Sequence, residues 1–254
     1  MFDIAVLLAA AFVAGALNAV AGGGSFLTLP ALVLTGVPPV VANATGTVAL
    51  LPGYLAGAWG FREDWQPPPG LTLRRLLLLS LVGGAAGAVL LLLTSDAAFR
   101  RIVPWLLLAA TAMFALGPRL RAWSASAAGG AAGHAAPSGL KATLGVLAVA
   151  GYGGYFNGGL GILLLALFGL LGQTQLHAMN GMKNLVSAVL TAIAVLIYAA
   201  GGLVLWPQAL LMMVAATAGG YAGARVARRI PAPWLRAGIV ATGLVMAAVF
   251  FWRQ

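Results

Sequence analysis

Two glycine clusters, each opening an apolar stretch too short to cross a bilayer, sit at matching places in a chain otherwise made of membrane-length apolar runs. The clusters are Gly22-Gly23-Gly24-Ser25 and Gly158-Gly159-Leu160-Gly161. The stretches they open, 25–36 and 160–172, are 12 and 13 residues long. At about 1.5 Å rise per residue such a helix covers little more than half of a hydrocarbon core of about 30 Å. The remaining runs are 4–21, 40–61, 76–94, 102–117, 141–157, 177–200, 203–224 and 233–252. Ten helical elements therefore fall into two sets of five, with the short one second in each set. The intervening 118–140 is rich in Gly, Ala and Ser and reads as a flexible linker. The expected domains are a first transmembrane repeat over 1–117, the linker over 118–140 and a second repeat over 141–254.

Composition excludes the soluble classes. The 254 residues are 62% hydrophobic and 7% charged, with no cysteine and only four acidic side chains, Asp3, Glu63, Asp64 and Asp96. A soluble domain carries roughly 25% charged residues. The net charge of +10 does not indicate nucleic acid, because the basic residues gather in short segments between apolar runs. Residues 4–21 are not read as a cleaved signal peptide, since Asp3 precedes them and no basic residue does.

The two sets repeat each other. At an offset of 137, Gly22, Gly24, Leu27 and Asn43 fall on Gly159, Gly161, Leu164 and Asn180. At 136, Gly83-Gly84 falls on Gly219-Gly220. Charge orients the sets. Arg62, Arg74 and Arg75 lie between the third and fourth elements, whereas the equivalent 201–206 is uncharged. Arg225, Arg228, Arg229 and Arg236 cluster at a loop whose equivalent, 95–101, holds Arg100 and Arg101 against Asp96. The positive-inside rule puts 62–75, 118–141 and 225–236 in the cytoplasm and both termini outside. Equivalent loops then face opposite sides, so the repeats are inverted. Trp59, Trp65, Trp105, Trp206, Trp234 and Trp252 lie near span ends, as an aromatic belt does. Gly83/Gly87 and Gly219/Gly223 have the spacing that lets helices pack closely. The expected fold is an all-α, polytopic membrane bundle of two inverted five-element repeats, the second element of each a half-helix or re-entrant segment.

No nucleophile, metal-ligand spacing or carboxylate pair lies within a span, so no enzyme chemistry is legible and no cofactor is expected. Polar residues inside spans concentrate in the repeated region. They are Asn18, Ser25, Asn43, Thr45 and Thr47 in the first half, and Tyr155, Asn157, His177, Asn180, Lys183 and Asn184 in the second. Asn180, Lys183 and Asn184 share one helix face. Asn43, Thr45 and Thr47 do not, which is compatible with local unwinding. The glycine clusters bring backbone N–H groups and the positive end of a helix dipole into the membrane, where an anion is favoured. The candidate substrate site is Gly22, Gly23, Gly24, Ser25, Asn43, Thr45, Thr47, Asn157, Gly158, Gly159, Gly161, Asn180, Lys183 and Asn184. Plainer roles stand beside this one: Lys183 snorkelling to the interface, the amides and hydroxyls bonding helices together, and the glycines making turns.

The stretch Gly15-Ala16-Leu17-Asn18-Ala19-Val20-Ala21-Gly22-Gly23-Gly24-Ser25, with Gly36-Val37-Pro38-Pro39 and Ala42-Asn43-Ala44-Thr45, resembles the TauE/SafE family of sulfite and organosulfonate exporters. Gly151-Tyr152-Gly153-Gly154-Tyr155-Phe156-Asn157 through Gly161, and Asn180 to Asn184, are similar to its second half. The resemblance implies a multi-pass carrier of the bacterial inner membrane that exports small sulfur anions such as sulfite, sulfoacetate or taurine-like compounds. A passive anion channel, or a carrier of another small organic anion, is the alternative. The expected partners are the small anionic substrate and the bilayer, with no nucleic acid; a homodimer is left open.

Overall fold

Helices in the computed structural model start and stop where local chemistry says they should. The structure describes residues 2–21, 23–129, 139–226 and 232–252. The helices are α1 (Phe2–Ala21), α2 (Ser25–Leu34), α3 (Pro39–Gly60), α4 (Leu73–Leu93), α5 (Asp96–Gly129), α6 (Gly139–Tyr155), α7 (Leu160–Leu170), α8 (Leu176–Ala200), α9 (Trp206–Val226) and α10 (Ala232–Trp252), with no strand among the described residues. Pro39 begins α3, where its missing N–H costs nothing. The Thr72 side chain caps α4 by accepting from the Arg75 N–H. The half-helices α2 and α7 end alike. Gly36 and Gly172 take positive φ. Val37 N–H then reaches back to the Leu32 carbonyl, and Gln173 N–H to that of Phe168. This is the six-to-one closure that a left-handed glycine permits.

Two expectations change. The segment 43–47 is not unwound: α3 is continuous there, and the Thr47 hydroxyl donates to the Asn43 carbonyl one turn back. Hydroxyls bonded this way satisfy themselves within a helix, so polar residues off one face do not break it. In addition, 118–129 continues α5 as helix, because its Ala-rich sequence favours helix despite its small polar residues. Residues 130–138 lie outside the described residues.

Packing is mostly between the first five helices and the last five. α1 packs along α9, α4 along α6, α3 between α8 and α9, and α5 against α10 and α7. Backbones touch at glycines. A Cβ at Gly15 would land on the Ala216 carbonyl, one at Gly219 on that of Phe12, and one at Gly87 on that of Gly151. Gly83 and Gly87 thus pack helices, as their spacing suggested.

Contacts along pairs of helices give their directions. Arg75 meets Gly139 and Thr143, Gly83 faces Leu147 and Ala150, and Gly87 faces Gly154 and Tyr155, so α4 and α6 run parallel. Near the start of α3 the Thr45 hydroxyl accepts from Leu205 N–H, just beyond α8, while Gly57 near its end faces Asn184 near the start of α8. α3 and α8 are therefore antiparallel. One end of the bundle collects 61–75, the start of α6 and the α7–α8 turn, where Gln173 donates to the Gln66 carbonyl. The other collects the α2–α3, α4–α5 and α8–α9 turns, where the Asp96 carboxylate accepts from Val40 N–H. Pro39–Gly60, Leu73–Leu93 and His177–Ala200 are, among the described residues, long and apolar enough to cross a membrane.

Candidate functional site

Both helix breaks converge on α3. The α1–α2 break lies beside Leu50: a Cβ on Gly24 would stand 2.9 Å from the Ala14 carbonyl and about as close to the Leu50 and Asn18 side chains. The α6–α7 break is tied to α3 at two points. Asn43 Nδ2 donates to the Tyr155 carbonyl at 2.9 Å, and the Tyr54 hydroxyl donates to Asn157 Oδ1 at 3.0 Å. Asn43, Thr47, Leu50, Tyr54 and Gly57 recur at i, i+4, i+7, i+11 and i+14, one stripe of an α-helix. One face of α3 thus meets both interruptions.

A cavity of about 410 Å³ lies along this stripe, between α1, α3, α8 and α9. Asn18, Tyr54, Asn184, Thr217 and Tyr221 give it polar groups, and Leu50, Gly53, Gly57 and Ala216 give it apolar and backbone surface. No charged side chain is among its lining residues. Tyr54 is buried, donates to Asn157, and shares the cavity wall with Asn18. Two amide atoms beside Tyr54 stay unsatisfied: Asn18 Oδ1 and Asn157 Nδ2 are buried without a hydrogen-bond partner. An amide left so costs about 1–3 kcal/mol, and such atoms are where a bound group can be accommodated.

The residues singled out in the sequence divide by position. Gly22 lies outside the described residues. Gly23 and Gly24 are buried at the first break, and their carbonyls accept the first-turn N–H groups of Phe26, Leu27 and Thr28. Some donors expected to face a ligand are thus already used. Ser25 is buried with an unpartnered hydroxyl. Asn43, Thr45 and Thr47 make the interhelical and intrahelical bonds given above, none of them into the cavity. Asn157 joins Tyr54. The Gly158 carbonyl accepts from the Tyr152 hydroxyl, Gly159 heads α7 with φ of +73°, and Gly161 is buried. Asn184 lines the cavity; Lys183 is buried on the preceding position of α8, outside the cavity wall, and Asn180 lies a turn earlier, half-buried. Farther along α8, Ser187 and Thr191 are buried with unpartnered hydroxyls. Among the described residues no three His, Asp or Glu side chains are grouped as metal ligands.

Tyr54 and the cavity-lining pair Thr217 and Tyr221 were not singled out. Tyr54 was within reach of sequence reasoning, since it stands eleven residues after Asn43 and hence on the same face. Thr217 and Tyr221 carry no such signal, because they matter only through the packing of α9 on α1 and α3.

The profile of the family described as Sulfite exporter TauE/SafE matches residues 7–250. The chain belongs to this family. A "Probable membrane transporter protein" of Haemophilus influenzae is 30% identical over 99% of this chain and 95% of its own length. A "Probable membrane transporter protein ORF9" of Sinorhizobium sp. is 29% identical over 96% of this chain and 90% of its own. No solved structure matches. As a TauE/SafE member this is a multi-pass membrane transporter and not an enzyme.

Proposed function

We propose that this TauE/SafE protein is a secondary carrier of the bacterial inner membrane that exports small sulfur-containing anions, sulfite or short organosulfonates, by alternating access between two inverted repeats. The observation that carries the reading is the Tyr54–Asn157 hydrogen bond, with Asn18 in the same cavity wall. The bond ties α3 to the second helix break, and Asn18, beside Gly24, brings the first break to a cavity with amide and hydroxyl groups in its wall. A sulfonate or sulfite spreads its charge over several oxygens, which suits several neutral donors. Helix breaks near the middle of a bundle are where carriers of inverted-repeat build hold their substrates. Lys183, buried one position before the cavity-lining Asn184, is assigned as the anion's charge partner, a role that needs its side chain to turn toward a cavity it does not line in this structure.

The packing supports the repeats, 1–117 and 141–254 joined by a connector. Under the exchange α1/α6, α3/α8, α4/α9 and α5/α10, the pairing of α1 with α9 becomes that of α6 with α4, and α3 with α9 becomes α8 with α4; α3–α8 and α5–α10 map onto themselves. The equivalent helices α3 and α8 are antiparallel, as repeats of opposite orientation require. Gly36 and Gly172 close α2 and α7 at an offset of 136, that of Gly83-Gly84 and Gly219-Gly220 and one residue short of the offset of the glycine clusters.

The test is uptake by liposomes holding the purified protein, with labelled sulfite, sulfoacetate or taurine outside and the same compound inside or absent. Uptake stimulated by internal substrate, and lost in Lys183→Ala, is the expected result. Absence of flux for every sulfur compound, in protein shown to be folded, overturns the substrate assignment.

A further inference from the structure

The Arg-rich start of α4, beside the start of α6, lines a groove whose chemistry changes from cationic to apolar along its length. Its volume is about 330 Å³, and its lining is Thr72, Arg74, Arg75, Leu78, Leu79 and Val82. Positions 74, 75, 78, 79 and 82 follow i, i+1, i+4, i+5, i+8 and therefore form one face of the first turns of α4. At the polar end, Arg75 donates to Thr143 Oγ1 at 2.8 Å and reaches the Gly139 carbonyl at 3.5 Å. Its guanidinium is thereby held across the gap between the two helices. Arg74 beside it is exposed, and Lys141, two residues beyond Gly139, is exposed on the first turn of α6. The N-terminal dipole of α4 adds to the same positive field. No carboxylate lines the groove. At the apolar end Leu78 is 51% and Val82 61% exposed, on a helix apolar enough to cross the membrane.

We infer that this groove seats an anionic phospholipid, with the phosphodiester between Arg74 and Arg75 and the start of an acyl chain along Leu78 and Val82. Charge complementarity selects the occupant. Basic pockets at the ends of membrane helices hold anionic headgroups, and the apolar half of the groove continues into the space that lipid tails fill. Arg75 serves two purposes in this site: it fixes the α4–α6 spacing through Thr143 and leaves the rest of its planar donor fork for a phosphate oxygen.

Native mass spectrometry of the purified full chain, titrated with phosphatidylglycerol or phosphatidylcholine of matched acyl chains, tests the assignment. The wild type is expected to retain phosphatidylglycerol preferentially. Arg74→Gln, which leaves the Arg75–Thr143 contact in place, is expected to lower that retention about fivefold, the effect of one surface cation on an anionic lipid. Arg101→Gln, a cation at the opposite end of the bundle, is expected to leave it unchanged. Equal retention of the two lipids, or equal retention by wild type and Arg74→Gln in folded protein, overturns the proposal. Displacement of the lipid by inorganic phosphate at equal concentration overturns it too, because the site would then read a free anion rather than a lipid.

Discussion

The hydroxyl of Tyr54, on the third helix, donates to the side-chain carbonyl of Asn157, at the break between the sixth and seventh, 103 positions later in the chain. Asn18, beside the other break, lines the same cavity as Tyr54. Replacing the phenol by a phenyl ring keeps the volume and removes only this link. Tyr54→Phe is expected to destabilise the protein by about 1–3 kcal/mol, the cost of leaving buried amide groups unpaired. Sulfite or sulfonate flux in liposomes is expected to fall more than the folded fraction does. A thermal unfolding curve unchanged from wild type contradicts the first expectation; flux that tracks the folded fraction contradicts the second.

At Gly24 the limiting quantity is space. A methyl group there presses on the Ala14 carbonyl and on the Leu50 side chain, and overpacking of this kind costs about 1–3 kcal/mol. Gly24→Ala is therefore expected to lower the unfolding temperature and flux together. Gly60→Ala, where the added carbon meets nothing within 4 Å, is expected to leave the unfolding temperature at or above that of wild type. Equal unfolding temperatures for the two variants rule out close packing at the first break.

The parallel crossing of α4 and α6 rests on backbone contact at Gly87, where a Cβ would land on the Gly151 carbonyl. Backbone cannot step aside as a side chain can. Gly87→Val is expected to separate the helices, and size-exclusion chromatography in detergent reads this as aggregation or loss of the monodisperse peak. A monodisperse, fully folded Gly87→Val protein disproves the crossing as described.

Orientation is open to cysteine labelling, because the natural chain has no cysteine. Glu63→Cys and Thr174→Cys lie at one end of the bundle and Ser95→Cys at the other. A membrane-impermeant maleimide added to intact cells is expected to modify Ser95→Cys alone, as the positive-inside assignment requires. Labelling of Glu63→Cys and Ser95→Cys from the same side is incompatible with the described arrangement of the turns.

Helices were the most legible part of this chain, since apolar runs of bilayer length and glycine-marked interruptions are local signals. The short elements at 25–36 and 160–172 appear as α2 and α7 within two residues at each end. Less of the site could be read. Asn184 was expected to share a ligand-facing surface with Lys183, yet only Asn184 reaches the cavity wall; adjacent residues on a helix point about 100° apart. Thr45 and Thr47 looked available and are engaged, one with Leu205 and the other with its own helix. Such partners come from segments distant in sequence or from the helix backbone itself, and residue type does not reveal them.

The pairing of α1 with α9 sets a schedule for biosynthesis. The first helix leaves the ribosome with Gly15 already shaped for the backbone of a partner that begins only at Trp206. At 5–20 residues per second, roughly 10–40 s separate the two. Through that interval the small-residue seam of α1 faces lipid or the insertion machinery, and the transporter reaches its packed form only when translation is nearly complete.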